Sequence, residues 1–226
     1  MIEEKLYKLQ KYMVTSDELF SEKENKVRLK LKPEDDLILI DNKNSLFWLF
    51  YITKYGYDHF IGLERKKFIE QEKEKYKNVD LFNQQSSHFK THKLKKINII
   101  NNLLYEETNM ATLKALCVYN NISVIVEYKY CYIELLFNST PPYIYKNIDG
   151  LVCLKPYSTI LINEIRKHKI SIKDVEKKLN SVSYYKVDDL KNMANKLSIS
   201  LFNENDKKKK KKIELYNEIK FKLNKL

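Results

Sequence analysis

Seven apolar residues in a row, Leu46-Phe47-Trp48-Leu49-Phe50-Tyr51-Ile52, constrain this chain more than any other feature. No face of a helix or strand built from them can be left in water, so the segment must be enclosed on every side. It is far too short to cross a bilayer, which takes about 20 apolar residues. The expectation is a helix buried nearly all round, opening at Ser45 after the turn Asp41-Asn42-Lys43-Asn44. With 43% hydrophobic residues in 226, the rest of the chain has ample material to surround it.

The patterning around this helix mixes two periods. Ile2, Leu6, Leu9 and Met13 share one helical face, and a second helix is expected from Ser16 to about Glu24. Val27, Leu29 and Leu31 alternate with Arg28, Lys30 and Lys32 as a half-buried strand, and Leu37 to Ile40 reads as a shorter, more buried one. A charged helix is expected from Leu63 to Lys77, a polar loop from Asn83 to Thr91, and helices over Leu94–Tyr105 and Asn109–Tyr119. Strands follow at Ile122–Glu127 and Tyr130–Leu136. A hairpin of Tyr143–Tyr145 with Leu151–Leu154 turns at Asn147-Ile148-Asp149-Gly150. Thr159–Lys167 and Ser171–Asn180 read as helices. The fold class this implies is α+β: a small antiparallel sheet packed with helices over residues 1–182, followed by a basic helical module over 183–226.

Charge is the second constraint. Lys and Arg number 42 against 30 acids, a net charge of +12, so a large partner of this chain is expected to be acidic. Only Arg28, Arg65 and Arg166 are arginines. Lysine holds phosphate as a point charge, whereas arginine reads bases through a bidentate fork, so the basicity points to backbone contact without sequence preference. An AT-rich coding sequence would also raise Lys, Asn, Ile and Tyr together. Three glycines leave little for a phosphate-cradling loop, and no cofactor is expected. Cys117, Cys131 and Cys153 lack metal-ligand spacing and read as reduced, mostly buried thiols. His88 and His92 lie four apart without a third ligand, and Glu106-Glu107 has no histidine partner, so no metal site is expected. With no secretory leader and no membrane span, the expected setting is intracellular, without membrane contact.

Two stretches could carry function. The first is Asp41-x-x-Asn44-Ser45-Leu46-Phe47, where a hydroxyl at a helix N-terminus would gain from the dipole and from unpaired N–H groups. Together with Thr112-Leu113-Lys114-Ala115-Leu116-x-x-x-Asn120-Asn121-Ile122-Ser123-Val124, it resembles the OTU-like cysteine proteases over about residues 37–154. The resemblance implies a papain-like fold with Asp41 and Ser45 at catalytic positions. Serine stands where the family has its cysteine, and no histidine lies between His92 and His168, where the family's base belongs. What the resemblance implies is therefore an inactive relative, with an OTU-like hydrolase of deubiquitinase type as the active alternative. Ser45 also suits a plain helix cap.

The second stretch runs from Ser183 to Leu226, where twelve lysines face six acids and half the net charge resides. Lys186-Val187-x-x-Leu190-x-x-x-Ala194-x-x-Leu197-x-Ile199, the unbroken run Lys207 to Lys212, and Leu215-x-x-x-Ile219 resemble the SAP and Rho-N-terminal-like helix-extended-helix motifs. The linker is longer than usual and lacks their glycine. The resemblance implies phosphate-backbone contact by Lys186, Lys191, Lys196, Lys207, Lys208, Lys209, Lys210, Lys211 and Lys212. The run also suits a solvated tail or an import signal. The lysine and asparagine bias, the OTU-like body and the SAP-like tail together resemble proteins of nucleocytoplasmic large DNA viruses. That implies a non-enzymatic binding protein of the virion or a cytoplasmic replication site, with nucleic acid and other viral proteins as partners. A minor capsid or scaffold protein is the structural alternative.

Overall fold

In the computed structural model, residues 38–39, 44–140, 142–148, 151–155, 158–173, 177–203 and 208–224 are described. The helices expected before Glu24, the strand at Val27–Leu31, the residue Asp41 and most of the turn after Asn147 lie outside them. The short strand expected near Leu37 survives as β1, Ile38–Leu39.

The apolar run forms helix α1, Ser45–Tyr55, in which Phe47 through Ile52 are all buried. Trp48 sits edge-on to Phe47 and Tyr51, with ring centroids 5.5 Å apart in each case, and 5.3 Å from Phe60. The helix stops at Gly56, whose φ of 92° is open to glycine and strained for other residues, and whose N–H bonds Ile52 O. A short helix α2, Tyr57–Gly62, leads through a 3₁₀ turn into α3, Lys67–Gln84. Buried Glu74 ties α3 to α1: its carboxylate accepts from Lys54 Nζ at 2.6 Å, Tyr55 OH at 2.8 Å and Asn78 Nδ2 at 2.9 Å. A buried carboxylate is tolerated because it is paired and hydrogen-bonded on both oxygens.

Helices α4 (Ser87–Thr91), α5 (Lys96–Tyr105) and α6 (Met110–Tyr119) complete this layer. The loop expected over Asn83–Thr91 is therefore helical in large part. Phe82 and Phe89 are both buried and pack ring-edge to ring at 5.6 Å, so two aromatic anchors hold a stretch whose remaining residues are polar. Asn109 caps α6, its Oδ1 accepting from Thr112 N–H.

The sheet has six strands in the order β1-β5-β4-β2-β3-β6, with β2 Val124–Glu127, β3 Cys131–Leu135, β4 Tyr143–Ile148, β5 Leu151–Lys155 and β6 Ile170–Ser171. The fold is α+β, and the sheet is mixed rather than antiparallel throughout: β2 with β4 and β3 with β6 run parallel. Strand β2 is buried along its whole length. Val124 and Val126 join the core under α1 and α6, while Ile125 turns to the opposite face with Tyr132 and Ile144. There it meets Ile162 and Ile165 of α7, Thr159–His168, a helix capped by Ser158. The central strand thus has helices on both sides, which explains its unbroken apolar sequence.

The helix expected over Ser171–Asn180 is replaced by strand β6 and irregular chain in its described part. Ile170 and Ile172 donate their N–H groups to Tyr130 O and Tyr132 O and bury their side chains, leaving Ser171 exposed. Alternation across the sheet edge decided this segment over its helix-start signal. The chain ends in α8, Val187–Lys196, and α9, Lys212–Asn224, packed on each other. Their Leu190, Ala194, Leu215, Ile219 and Leu223 are at most 1% exposed and belong to the same apolar cluster as the body.

Among the described residues, no helix is long and apolar enough to cross a membrane. Cys117 and Cys131 are unpaired and buried, and burial pushes the Cys131 thiol up to about 11.

Candidate nucleic-acid interface

Ser45 is the first residue of α1, half-buried, and the cap position belongs to Asn44. Asn44 holds a left-handed backbone (φ 70°, ψ 39°), which asparagine tolerates better than most residues. Its side chain makes no cap bond; Oδ1 instead accepts from the buried Thr108 N–H at 2.7 Å, 64 residues away. Around that contact, Asn102 Oδ1 accepts from Asn109 N–H and from Thr112 Oγ1, and Asn102 Nδ2 donates to Glu106 and Glu107 O. The Asn44-Ser45 junction is thus a structural joint between α1 and the α5–α6 loop. Among the described residues, nothing hydrogen-bonds the Ser45 hydroxyl. The histidines are engaged elsewhere: His59 Nδ1 lies 3.2 Å from Tyr51 OH, and the rings of His88 and His92 stack at 6.2 Å. His168 closes α7. Asp41 lies outside the described residues. No group of three potential metal ligands occurs among those described.

The basic segment is folded back on itself and onto the body. Between α8 and α9 the chain makes a narrow hairpin: Phe202 pairs antiparallel with Lys209, Asn203 N–H donates to Lys208 O, and Lys210 N–H donates to Leu201 O, each bond 2.9 Å. The lysine run is therefore extended from Lys208 to Lys211, whose N–H then donates to Glu214 Oε2 to open α9. Extended chain alternates its side chains. Lys210 turns inward, its side chain 9% exposed and its Nζ 2.7 Å from Glu218. Lys209 and Lys211 stay exposed on the opposite side, with no ion pair among the described residues. Lys208 is also exposed, and Lys212 half-buried as the first residue of α9; Lys207 lies outside the described residues.

The lysines of α8 divide in the same way. Lys186 precedes the helix, exposed, with its backbone N–H on Asp189. Lys191 pairs with Asp188 at 2.8 Å, which pulls that carboxyl below its ordinary value. Lys196 Nζ donates to Arg166 O at 2.8 Å and Lys169 O at 3.0 Å, the unpaired carbonyls that end α7. Three other lysines do the same work: Lys222 bonds Leu197 O at the end of α8, Lys178 bonds Leu223 O at the end of α9, and Lys114 bonds His92 O at the end of α4. A cation on those carbonyls satisfies orphan acceptors and meets the negative end of the helix dipole. Lys169 in turn reaches Glu127 at 2.7 Å and Tyr128 O at 2.5 Å. Lys191, Lys196 and Lys210, expected from the sequence to contact phosphate, each have an internal partner in the structure. A helix end closed by a lysine from a distant segment leaves no mark in local sequence.

Of the nine lysines picked from sequence, the hairpin brings Lys208, Lys209 and Lys211 together, exposed on one short stretch. Such a stretch can hold phosphate oxygens as point charges and offers no fork for reading a base edge. Neither a protein-family model nor a curated protein nor a solved structure matches this chain.

Proposed function

We propose that the chain is a non-enzymatic binding protein that contacts nucleic-acid backbone through the lysine hairpin, without sequence preference. One observation carries the reading: Lys209 and Lys211 project from a hydrogen-bonded hairpin whose inward lysine is already neutralised by Glu218. Two cations on one side of extended chain stand about 6.7 Å apart along it, so a phosphate backbone meets charge at fixed positions rather than on a loose tail. Binding of this kind displaces counterions and weakens steeply with salt. The viral setting, in a virion or replication site, rests on the family resemblances alone.

The test is binding of a generic duplex and a single strand by the full chain over a range of salt, against the double variant Lys209→Glu/Lys211→Glu. Truncating before Ser183 would strip buried Leu190, Leu215 and Leu223 from the core, so charge reversal in the intact chain is the cleaner perturbation. Loss of most affinity with an unchanged melting temperature supports the reading. Equal binding by the wild type and the double variant removes it.

A protein-contact role for the body has its own support. Helix α3 leaves Phe68, Ile69 and Tyr76 between 56% and 73% exposed, more apolar surface than a solvated helix usually carries.

A further inference from the structure

At the foot of the lysine hairpin, where the C-terminal helices meet the body, lies a cleft of about 320 Å³ lined by Tyr130, Ile199, Glu218, Phe221 and Lys222. Its walls come from three places: the β2–β3 turn, the chain leaving α8, and one face of α9. Phe221 is 63% exposed, although α9 buries Leu215, Ile219 and Leu223 completely or nearly so. This aromatic ring faces away from the core and stands in sequence between Lys220 and Lys222.

Two ammonium groups lie beside the tyrosine of the cleft. Lys129 Nζ lies 5.4 Å and Lys222 Nζ 5.6 Å from the centre of the Tyr130 ring. The one acid in the lining, Glu218, is neutralised by Lys210 of the hairpin. An aromatic cleft rimmed by ammonium groups is complementary to a ligand that is flat, apolar on its faces and anionic at its edge. We infer that the cleft between Tyr130 and Phe221 takes an unpaired nucleobase, so that the protein's preferred ligand is single-stranded nucleic acid. The inference rests on the proposed function and narrows its ligand.

The physical basis is ordinary. Every base offers a π face, so stacking on tyrosine and phenylalanine is tolerant of sequence, and the exposed Lys129 beside the Tyr130 ring meets an adjoining phosphate. In a duplex the bases are already stacked on each other and cannot enter a cleft of this size without being flipped out. A preference for single strands therefore follows from shape, with no hydrogen-bond readout.

The experiment compares a fluorescently labelled oligothymidylate with a duplex of equal length, at one moderate salt concentration, using the full chain. Thermal melts of each variant establish that it folds; Phe221→Ala removes the exposed ring, Phe221→Tyr, which keeps a ring, is the conservative control, and Tyr130→Ala removes the other wall. The expected result is tighter binding of the single strand, weakened roughly tenfold by Phe221→Ala and by Tyr130→Ala and retained by Phe221→Tyr, with duplex binding changed by less than about twofold. Wild-type binding that is equal for both ligands, with neither alanine variant altering it, overturns the inference and leaves the hairpin reading intact. No binding of either ligand at low salt overturns both.

Discussion

Lys196 and Lys209 look alike in sequence, yet the structure gives them different work, and a pair of alanine variants separates the two. Lys196 makes two charge-assisted hydrogen bonds to Arg166 O and Lys169 O at the end of α7. Fully buried, such bonds would each contribute about 1.5–3 kcal/mol. The side chain is exposed, so water screens them and competes for the carbonyls, and the long chain loses rotamer freedom on docking. The net loss for Lys196→Ala is then about 1 kcal/mol. In a chain of this size that lowers the melting temperature by about 2–4 °C. Nothing comparable holds Lys209 Nζ among the described residues, so Lys209→Ala should leave melting unchanged. Its effect belongs to binding: one phosphate contact fewer reduces the slope of log K against log salt by about 0.7–0.9. Thermal melts by circular dichroism and salt titrations by fluorescence anisotropy read the two quantities independently. If Lys196→Ala melts like the wild type and flattens the salt slope as much as Lys209→Ala does, the division of lysines into helix caps and phosphate contacts is wrong.

Three other substitutions probe the body. Asn44→Ala orphans the buried Thr108 N–H and forces alanine to φ 70°, so urea denaturation should show a loss of about 1–3 kcal/mol, whereas Ser45→Ala should stay within about 0.5 kcal/mol. A larger loss at Ser45 would assign the joint to the wrong residue. Gly56→Ala meets no atom within 4 Å of the new Cβ, so its cost is backbone strain at φ 92° alone, about 1–2 kcal/mol; melting unchanged from wild type would show that the turn relaxes. Burial, with Lys114 and His88 adding to it, holds the His92 imidazole below its ordinary 6.5. The unfolded chain therefore binds more protons here than the folded one. The His92 contribution is fully present above pH 6.5 and is lost as pH falls below it through the folded value. His92→Gln should flatten that part of a stability–pH profile, and an unchanged profile would locate the titration elsewhere.

What could be read in the sequence was whatever local patterning decides. The seven-residue apolar run fixed α1 as a buried helix, and Met110, Leu113, Leu116 and Cys117 at helical spacing marked α6. The failures share a cause. Ser171 looked like a helix start because serine caps helices, yet Ile170 and Ile172 were claimed by the edge of β3. Asn83–Thr91 looked like a loop because it is polar, yet Phe82 and Phe89 close on Tyr119 and hold it helical. The parallel pairing of β2 with β4 is invisible for the same reason: which strand lies beside which is settled by long-range contacts. At the candidate interface, the sequence located the segment. The alternation that exposes Lys209 and Lys211 while burying Lys210 needed the hairpin, since six identical residues carry no phase.

That identity of residues also bears on what the charge is for. A run of lysines shaped only by base composition would place cations without regard to helix ends. Here Lys114, Lys178, Lys196 and Lys222 each meet the C-terminal carbonyls of a different helix, four closures of one kind in a chain with three glycines to close helices otherwise. Part of the basicity is thus the chain's substitute for glycine C-caps, and it is internally satisfied. Lys209 and Lys211 of the hairpin are exposed and carry no such closure. A net charge of +12 steers any polyanion toward the molecule. Geometry at the hairpin and at the cleft then selects, the first by exposed lysines and the second by an exposed ring. If stacking at Phe221 and charge at Lys209 act on one bound strand, their double variant should lose less affinity than the sum of the single losses, the mark of two groups sharing one ligand.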